Sequence, residues 1–285
     1  MIKRILIFLS ICFVANLRGQ ISGVVLDSIT GEKLPLVNIS VLGENKGTTS
    51  ELDGTFSLGE NAGKKLVFSI LGYQKKTLQA QNNMRVLLQA DEIALSEVVV
   101  ENRKKTKKIE IGPEAPSIYE AYNRGPRTDT RFFEYLSSYN KARYIDAIIV
   151  RTDSKVKEAR FIIHLYEPDK NGFPGKEMLN QNLVVSVDKG IKNTLFRLEK
   201  FHLKMPKTGL FVGIEKLMIE SNKLETDNPY QSGVYYPLIL YSSAEKDKIF
   251  SYSGGQWHVQ TKQNQEGVLE KIKTSEPAIS LILTN

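Results

Sequence analysis

Residues 21–73 set the strongest limit on what this chain can fold into. The segment ISGVVLDSITGEKLPLVNISVLGENKGTTSELDGTFSL is followed closely by LVFSILGY, and apolar residues recur in short runs between turn formers. Ile21, Val24–Leu26, Val37–Val41, Phe56–Leu58, Leu66–Ile70 and Met84–Leu88 supply the apolar positions. Thr30-Gly31, Glu44-Asn45, Asp53-Gly54 and Asn61–Gly63 punctuate them. Strand-length runs bounded by Gly, Asn and Asp describe β-strands joined by tight turns. Pro35 cannot donate to a ladder and belongs at an edge or a strand start. No helical period fits between Gln20 and Leu88.

The first nineteen residues are of another kind. Lys3 and Arg4 precede a run from Ile5 to Ala15 that is apolar except for Ser10. About eleven residues is short for a bilayer span and the right size for a secretory leader. Cleavage near Gly19–Gln20 is expected. Cys12 is the chain's single cysteine, so the mature protein would carry no disulfide and would depend on hydrophobic cores. This reading makes the chain an exported protein, periplasmic or associated with the outer membrane, with secretion as the alternative.

The formal charge of +7 invites a nucleic-acid reading, but its placement opposes one. Lys3, Arg4 and Arg18 belong to the leader, and Arg103, Lys104, Lys105, Lys107 and Lys108 form one short run. Removing these three and five positive charges leaves about −1 for the rest. A nucleic-acid face needs basic residues spread over a folded surface. Nucleic acid is therefore not an expected partner, and membrane association is expected only through a partner.

Four segments follow: a leader at 1–19, a first β module at 20–90, a basic and Pro/Gly-containing linker at 91–130, and a second β region at 131–285. Strands in the last are expected at Phe132–Leu136, Tyr144–Thr152, Glu158–Glu167, Leu183–Val187, Thr194–Leu198, Gly209–Ile219, Tyr235–Tyr241, Gln256–Thr261 and Ala278–Thr284. In Ala159–Tyr166, Phe161, Ile163 and Leu165 fall on one face, and Ile162, His164 and Tyr166 on the other. Eight or nine strands over about 155 residues suggest a two-sheet, jelly-roll-like sandwich.

The order Ile-Ser-Gly-x-Val, Thr-Gly-Glu-x-Leu-Pro-x-Val-Asn-Ile, Gly-Thr-x-Ser-x-x-Asp-Gly-x-Phe-Ser-Leu and Leu-Gly-Tyr resembles the carboxypeptidase regulatory-like family over residues 20–90. Its carriers are Gly23, Asp27, Thr30, Gly31, Leu34, Pro35, Asn38, Gly47, Thr48, Asp53, Gly54, Phe56, Gly72 and Tyr73. The resemblance implies a transthyretin-like, seven-stranded β-sandwich in which these positions form turns and core rather than a catalytic site. It also implies an accessory domain of exported and outer-membrane proteins of the Bacteroidetes lineage. Leu95–Val100 resembles the stretch after this module in TonB-dependent receptors, where it serves as an energy-coupling box. The rest of the chain is short for a plug and barrel, so the segment reads as a last strand or linker strand. The second region is similar, more loosely, to galactose-binding-like jelly rolls, a likeness of fold alone.

Several residue sets carry candidate chemistry. His164-Leu165-Tyr166-Glu167 has the His-x-x-Glu spacing of metallocarboxypeptidase zinc ligands, with His258 94 residues downstream. On a regular strand, residues three apart point to opposite faces, so His164 and Glu167 diverge. Ser251–Gly255 lacks the Gly-x-Ser-x-Gly of a nucleophile elbow and reads as a turn. Glu167, Asp169 and Asn171 sit around an ordinary turn sequence, with a calcium loop as the rival. Late aromatics, chiefly Tyr235, Tyr236, Tyr252 and Trp257, offer flat rings for a sugar or peptide, although sheets also use such rings in their cores.

The expectation is an all-β, non-enzymatic envelope protein that docks an envelope protein or a glycan. It names no catalytic, cofactor or metal-binding residue. The alternatives are a glycan-binding module linked to polysaccharide uptake and a metallopeptidase-like enzyme using His164 and Glu167.

Overall fold

A computed structural model describes residues 20–59, 63–91, 105–112, 119–120, 125–228, 233–263 and 269–285. The leader, the Leu95–Val100 segment, Arg103, Lys104 and Tyr230 lie outside the described residues. What is described is β-structure with three short 3-10 turns. No described helix is long and apolar enough to cross a membrane.

The first module has seven strands: β1 (Ile21–Asp27), β2 (Asn38–Val41), β3 (Gly47–Thr49), β4 (Thr55–Leu58), β5 (Lys65–Ser69), β6 (Lys76–Gln79) and β7 (Met84–Leu88). They form a three-stranded sheet, β4-β1-β7, and a four-stranded sheet, β3-β2-β5-β6. This is the expected seven-stranded sandwich. Alternate residues such as Ile39, Val41, Leu66 and Phe68 point inward and meet Val25, Phe56, Val86 and Leu88. Phe56 and Phe68 pack edge to face at 5.7 Å.

The second sandwich begins earlier than the sequence suggests. Its strands are β8 (Lys108–Ile111), β9 (Tyr119–Glu120), β10 (Thr128–Phe133), β11 (Tyr144–Ser154), β12 (Ala159–Pro168), β13 (Pro174–Glu177), β14 (Leu183–Val187) and β15 (Gly190–Arg197). They continue with β16 (Leu210–Lys216), β17 (Leu238–Lys246), β18 (Lys248–Ser253), β19 (Gln256–Gln263), β20 (Leu269–Glu270), β21 (Ile272–Pro277) and β22 (Ile279–Thr284). One sheet runs β13-β12-β16-β10-β18-β19-β20, with β14 also on β12. The other runs β21-β17-β11-β22-β8, with β15 on β11 and β9 on β17. Phe161, Ile163, Leu165, Val212 and Ile214 of the first sheet meet Ile148, Val150, Leu281 and Leu283 of the second in one core.

The 91–130 segment is not wholly a linker. β8 pairs with β22, and Ile109 and Ile111 pack against the core. Lys105 of the basic run is held by Asp146 at 2.9 Å and Glu199 at 2.6 Å. The strand expected at Tyr235–Tyr241 starts instead at Leu238, because Pro237 has no N–H to give a ladder.

The two sandwiches pack against each other. On β2, Ile39 and Val41 enter the first core, which leaves Asn38 and Ser40 facing the outer side of the β12-β16 sheet. Leu36 joins Ile162, Leu217 and Ile219 in a small apolar cluster at this seam. It does so from a left-handed backbone, φ +59°, a conformation an L-residue holds only when its surroundings impose it. The Met218 N–H donates to Thr49 Oγ1 at 3.0 Å, and the Glu220 N–H to Glu51 Oε1 at 2.9 Å. The β18–β19 hairpin turns on Gly254-Gly255, both at positive φ, and its tip touches the first module. There the Gly43 N–H donates to the Gly254 carbonyl and Lys75 Nζ to the Gly255 carbonyl, each at 2.9 Å.

Candidate functional site

The most concentrated chemistry in the described residues lies at this seam. β12 alternates as expected, so Phe161, Ile163 and Leu165 enter the core and His164 faces out of the sandwich. Opposite His164 on β16 stands Gly213, whose missing side chain leaves room for the Thr128 methyl and the Tyr166 ring. The turn at Asp169–Gly172 folds β13 back along β12 and brings Glu177 opposite Tyr166. Glu215 is two residues beyond Gly213 on β16. Three strands thus deliver one imidazole and two carboxylates to one buried point.

His164 Nδ1 lies 2.9 Å from Glu177 Oε2, and Nε2 lies 2.9 Å from Glu215 Oε2. Each ring nitrogen faces a carboxylate acceptor, which requires both to carry a proton. Burial is the largest single influence on the ring and disfavours its charge. Glu177 and Glu215 together outweigh it, and the pKa is pushed up to about 10. The remaining carboxylate oxygens are also bonded. Glu177 Oε1 accepts the Leu165 N–H at 2.7 Å, and Glu215 Oε1 accepts the Asn38 Nδ2–H at 2.7 Å. Asn38 Oδ1 in turn accepts the Ser40 hydroxyl at 2.7 Å.

An aromatic wall surrounds the cluster. Tyr166 stacks on the His164 ring at 5.5 Å and 11°, and Trp257 meets Tyr166 edge-on at 5.5 Å. Burial and the two carboxylates push the Tyr166 hydroxyl well above its ordinary range. Tyr252 packs on Trp257 at 5.3 Å, and Lys75 of the first module lies over the Tyr252 ring at 5.2 Å.

This arrangement has little catalytic capacity. With both nitrogens protonated, His164 offers no lone pair to a metal or a substrate proton. Glu167 is exposed while His164 is buried, so the pair diverges, and His258 bonds through Nε2 to the Ser253 carbonyl. Among the described residues, no group of three or more His, Cys, Asp and Glu is arranged to hold a metal ion. Asp169 Oδ1 is taken by the backbone N–H groups of Asn171 and Phe173, the pattern of an ordinary turn. A separate half-buried cation, Lys216, borders a small cleft with Arg127, Asp129 and Tyr241, and its partial burial pushes its pKa down to about 8.

The four aromatics expected as ligand platforms do not form one surface. Tyr236 is buried in the core of the second sandwich and presents no face to a ligand. Tyr235 is half-buried beside Lys223, with which it forms an isolated bridge. Tyr252 and Trp257 do meet, at the seam. Glu177, Glu215 and Asn38 were not singled out as a site by sequence reasoning. The available signal was Glu215-Lys216, the charged pair inside the otherwise apolar Gly209–Ile219 run.

Fold and site together define an all-β protein of two sandwiches joined by a buried charge network. Residues 21–100 match the family model described as the CarboxypepD_reg-like domain, and the first sandwich is such a domain. The chain is 33% identical over 126 residues to TonB-dependent receptor P3 of Formosa agariphila, which covers 42% of the chain and 13% of that receptor. It is 38% identical over 102 residues to TonB-dependent receptor SusC of Bacteroides thetaiotaomicron, covering 36% of the chain and 10% of that receptor. The chain therefore spans only about a tenth of the length of these relatives.

Proposed function

We propose that this protein is a non-enzymatic docking protein of the bacterial cell envelope, exported by its leader, which presents the two sandwiches to an envelope partner as one packed body. The observation that carries this reading is the seam. A domain type shared with TonB-dependent receptors is fixed to a second sandwich by a charge network with all four carboxylate oxygens bonded. Such an arrangement suits holding a fixed shape, whereas its one histidine is tied up as a donor.

The test is envelope fractionation with crosslinking in a Bacteroidetes host that expresses the full chain. The expected result is retention in the envelope fraction and a specific crosslink to a receptor-type membrane protein. Cytoplasmic recovery, or peptidase activity that disappears in His164→Gln, would overturn it.

A second reading, glycan binding, has one observation in its favour: the half-buried Tyr252–Trp257 pair, with Lys75 over the Tyr252 ring. Trp257 is the chain's single tryptophan. A change in its fluorescence on titration with neutral or acidic polysaccharides, abolished by Tyr252→Ala, would favour this reading over protein docking.

A further inference from the structure

Glu215 joins a buried imidazole of the second sandwich to a buried amide of the first. We propose that His164 is a charge-dependent catch for the CarboxypepD_reg-like module: the doubly protonated ring holds Glu177 and Glu215 together and fixes Glu215 in the pose that receives Asn38, so with both carboxylates in place the module seats only while the ring is charged. A neutral ring has one N–H and serves one carboxylate. The other is left buried without its donor, a costly state that turning toward water relieves. Glu177 is also tied to the Leu165 N–H of its own hairpin. Glu215 is tied through Asn38 to the other sandwich. The movement of Glu215 is therefore the one that loosens the seam.

The charged and titratable groups around the ring are few. Glu177 faces it from β13 and Glu215 from β16, with Tyr166 on β12 and Tyr252 on β18. From the first module come neutral Asn38 and Ser40, and Lys75 over the Tyr252 ring.

Hydrogen exchange of the full chain at neutral pH tests it. Three backbone N–H groups report the seam, those of Gly43, Met218 and Glu220. Two report the separate sandwiches, Val25 bonded to Gly54 and Ile145 bonded to Leu203. In His164→Gln the seam groups are expected to exchange at least tenfold faster, with Val25 and Ile145 unchanged. Glu177→Gln, which leaves His164, Glu215 and Asn38 in place, is expected to keep the seam protected. Unchanged seam protection in His164→Gln, or equal acceleration at all five groups, would overturn the proposal. Should that variant not fold, the wild type carried from neutral to strongly alkaline pH gives the same reading by small-angle scattering. Expansion ahead of any far-UV circular dichroism change supports the catch; no expansion, or simultaneous loss of both signals, refutes it.

Discussion

The side-chain amide of Asn38 donates to Glu215 Oε1 at 2.7 Å from 177 positions away in the sequence and from a different sandwich. Both side chains are buried, so neither can exchange this bond for one to water. Asn38→Leu is expected to cost about 1–3 kcal/mol, because it leaves a charged acceptor buried and short of a donor. Urea unfolding measures the loss. Ser22→Ala, on the far sheet of the module, serves as a control expected near zero.

The hairpin tip gives a second test of the seam. A Cβ on Gly255, at φ +84°, would lie 2.8 Å from Val67 Cγ2 in the first module. A Cβ on Gly172, at φ +78°, would meet nothing within 4 Å. Alanine at either site pays the left-handed backbone cost of about 1–2 kcal/mol. Gly255→Ala is expected to lose more, since Val67 is itself buried and must shift. The excess melting-point drop of Gly255→Ala over Gly172→Ala reads the docking of the two sandwiches.

Stability should fall at alkaline pH. Burial alone would lower the pKa of His164, but Glu177 and Glu215 raise it from 6.5 to about 10. The unfolded chain gives up this proton near pH 6.5 and the folded chain only near 10. The contribution is whole below the lower value and is lost as pH rises through the upper one. The slope between them is at most about 1.4 kcal/mol per pH unit for one proton. Unfolding free energies at pH 6, 8 and 9.5 check it: His164→Gln should flatten the profile, and a wild-type profile equally flat would refute the assignment.

The parts of the fold set by local pattern were legible in the sequence. The first sandwich showed β1, β2, β4, β5 and β7 because apolar runs alternate with Gly and Asp turns, whereas β3 and β6 carry no such run, and the face split of β12 followed from the two-residue period. What escaped was set by partners far along the chain. Asn38 resembles a turn or core position of its family, yet it faces outward and is buried only because the second sandwich covers it. β18 and β21, KIFSYS and IKTSEP, mix charged and hydroxyl residues into their strands and lack a clear apolar signal. Ile109 and Ile111 were hidden within a basic run, although β8 pairs along β22. Tyr236 looked like a ligand platform because sequence does not distinguish an aromatic facing inward from one facing outward.

Zinc provides the last test, because the His-x-x-Glu spacing is where sequence most invites an enzyme. A metal needs a neutral imidazole nitrogen, so zinc must first displace a proton from His164. With the ring pKa at about 10, that competition weakens binding about a thousandfold at pH 7. Zinc must also break a 2.9 Å contact to Glu177 or Glu215. Glu167 is no compensating ligand, since it is exposed and His164 is buried. Calorimetric titration of the full chain with zinc at pH 7 should therefore give the same isotherm for wild type, His164→Gln and Glu167→Gln. A stoichiometric zinc site present in the wild type and absent from both variants would show that the seam opens to place these two side chains together, and would return the protein to the metallopeptidase class.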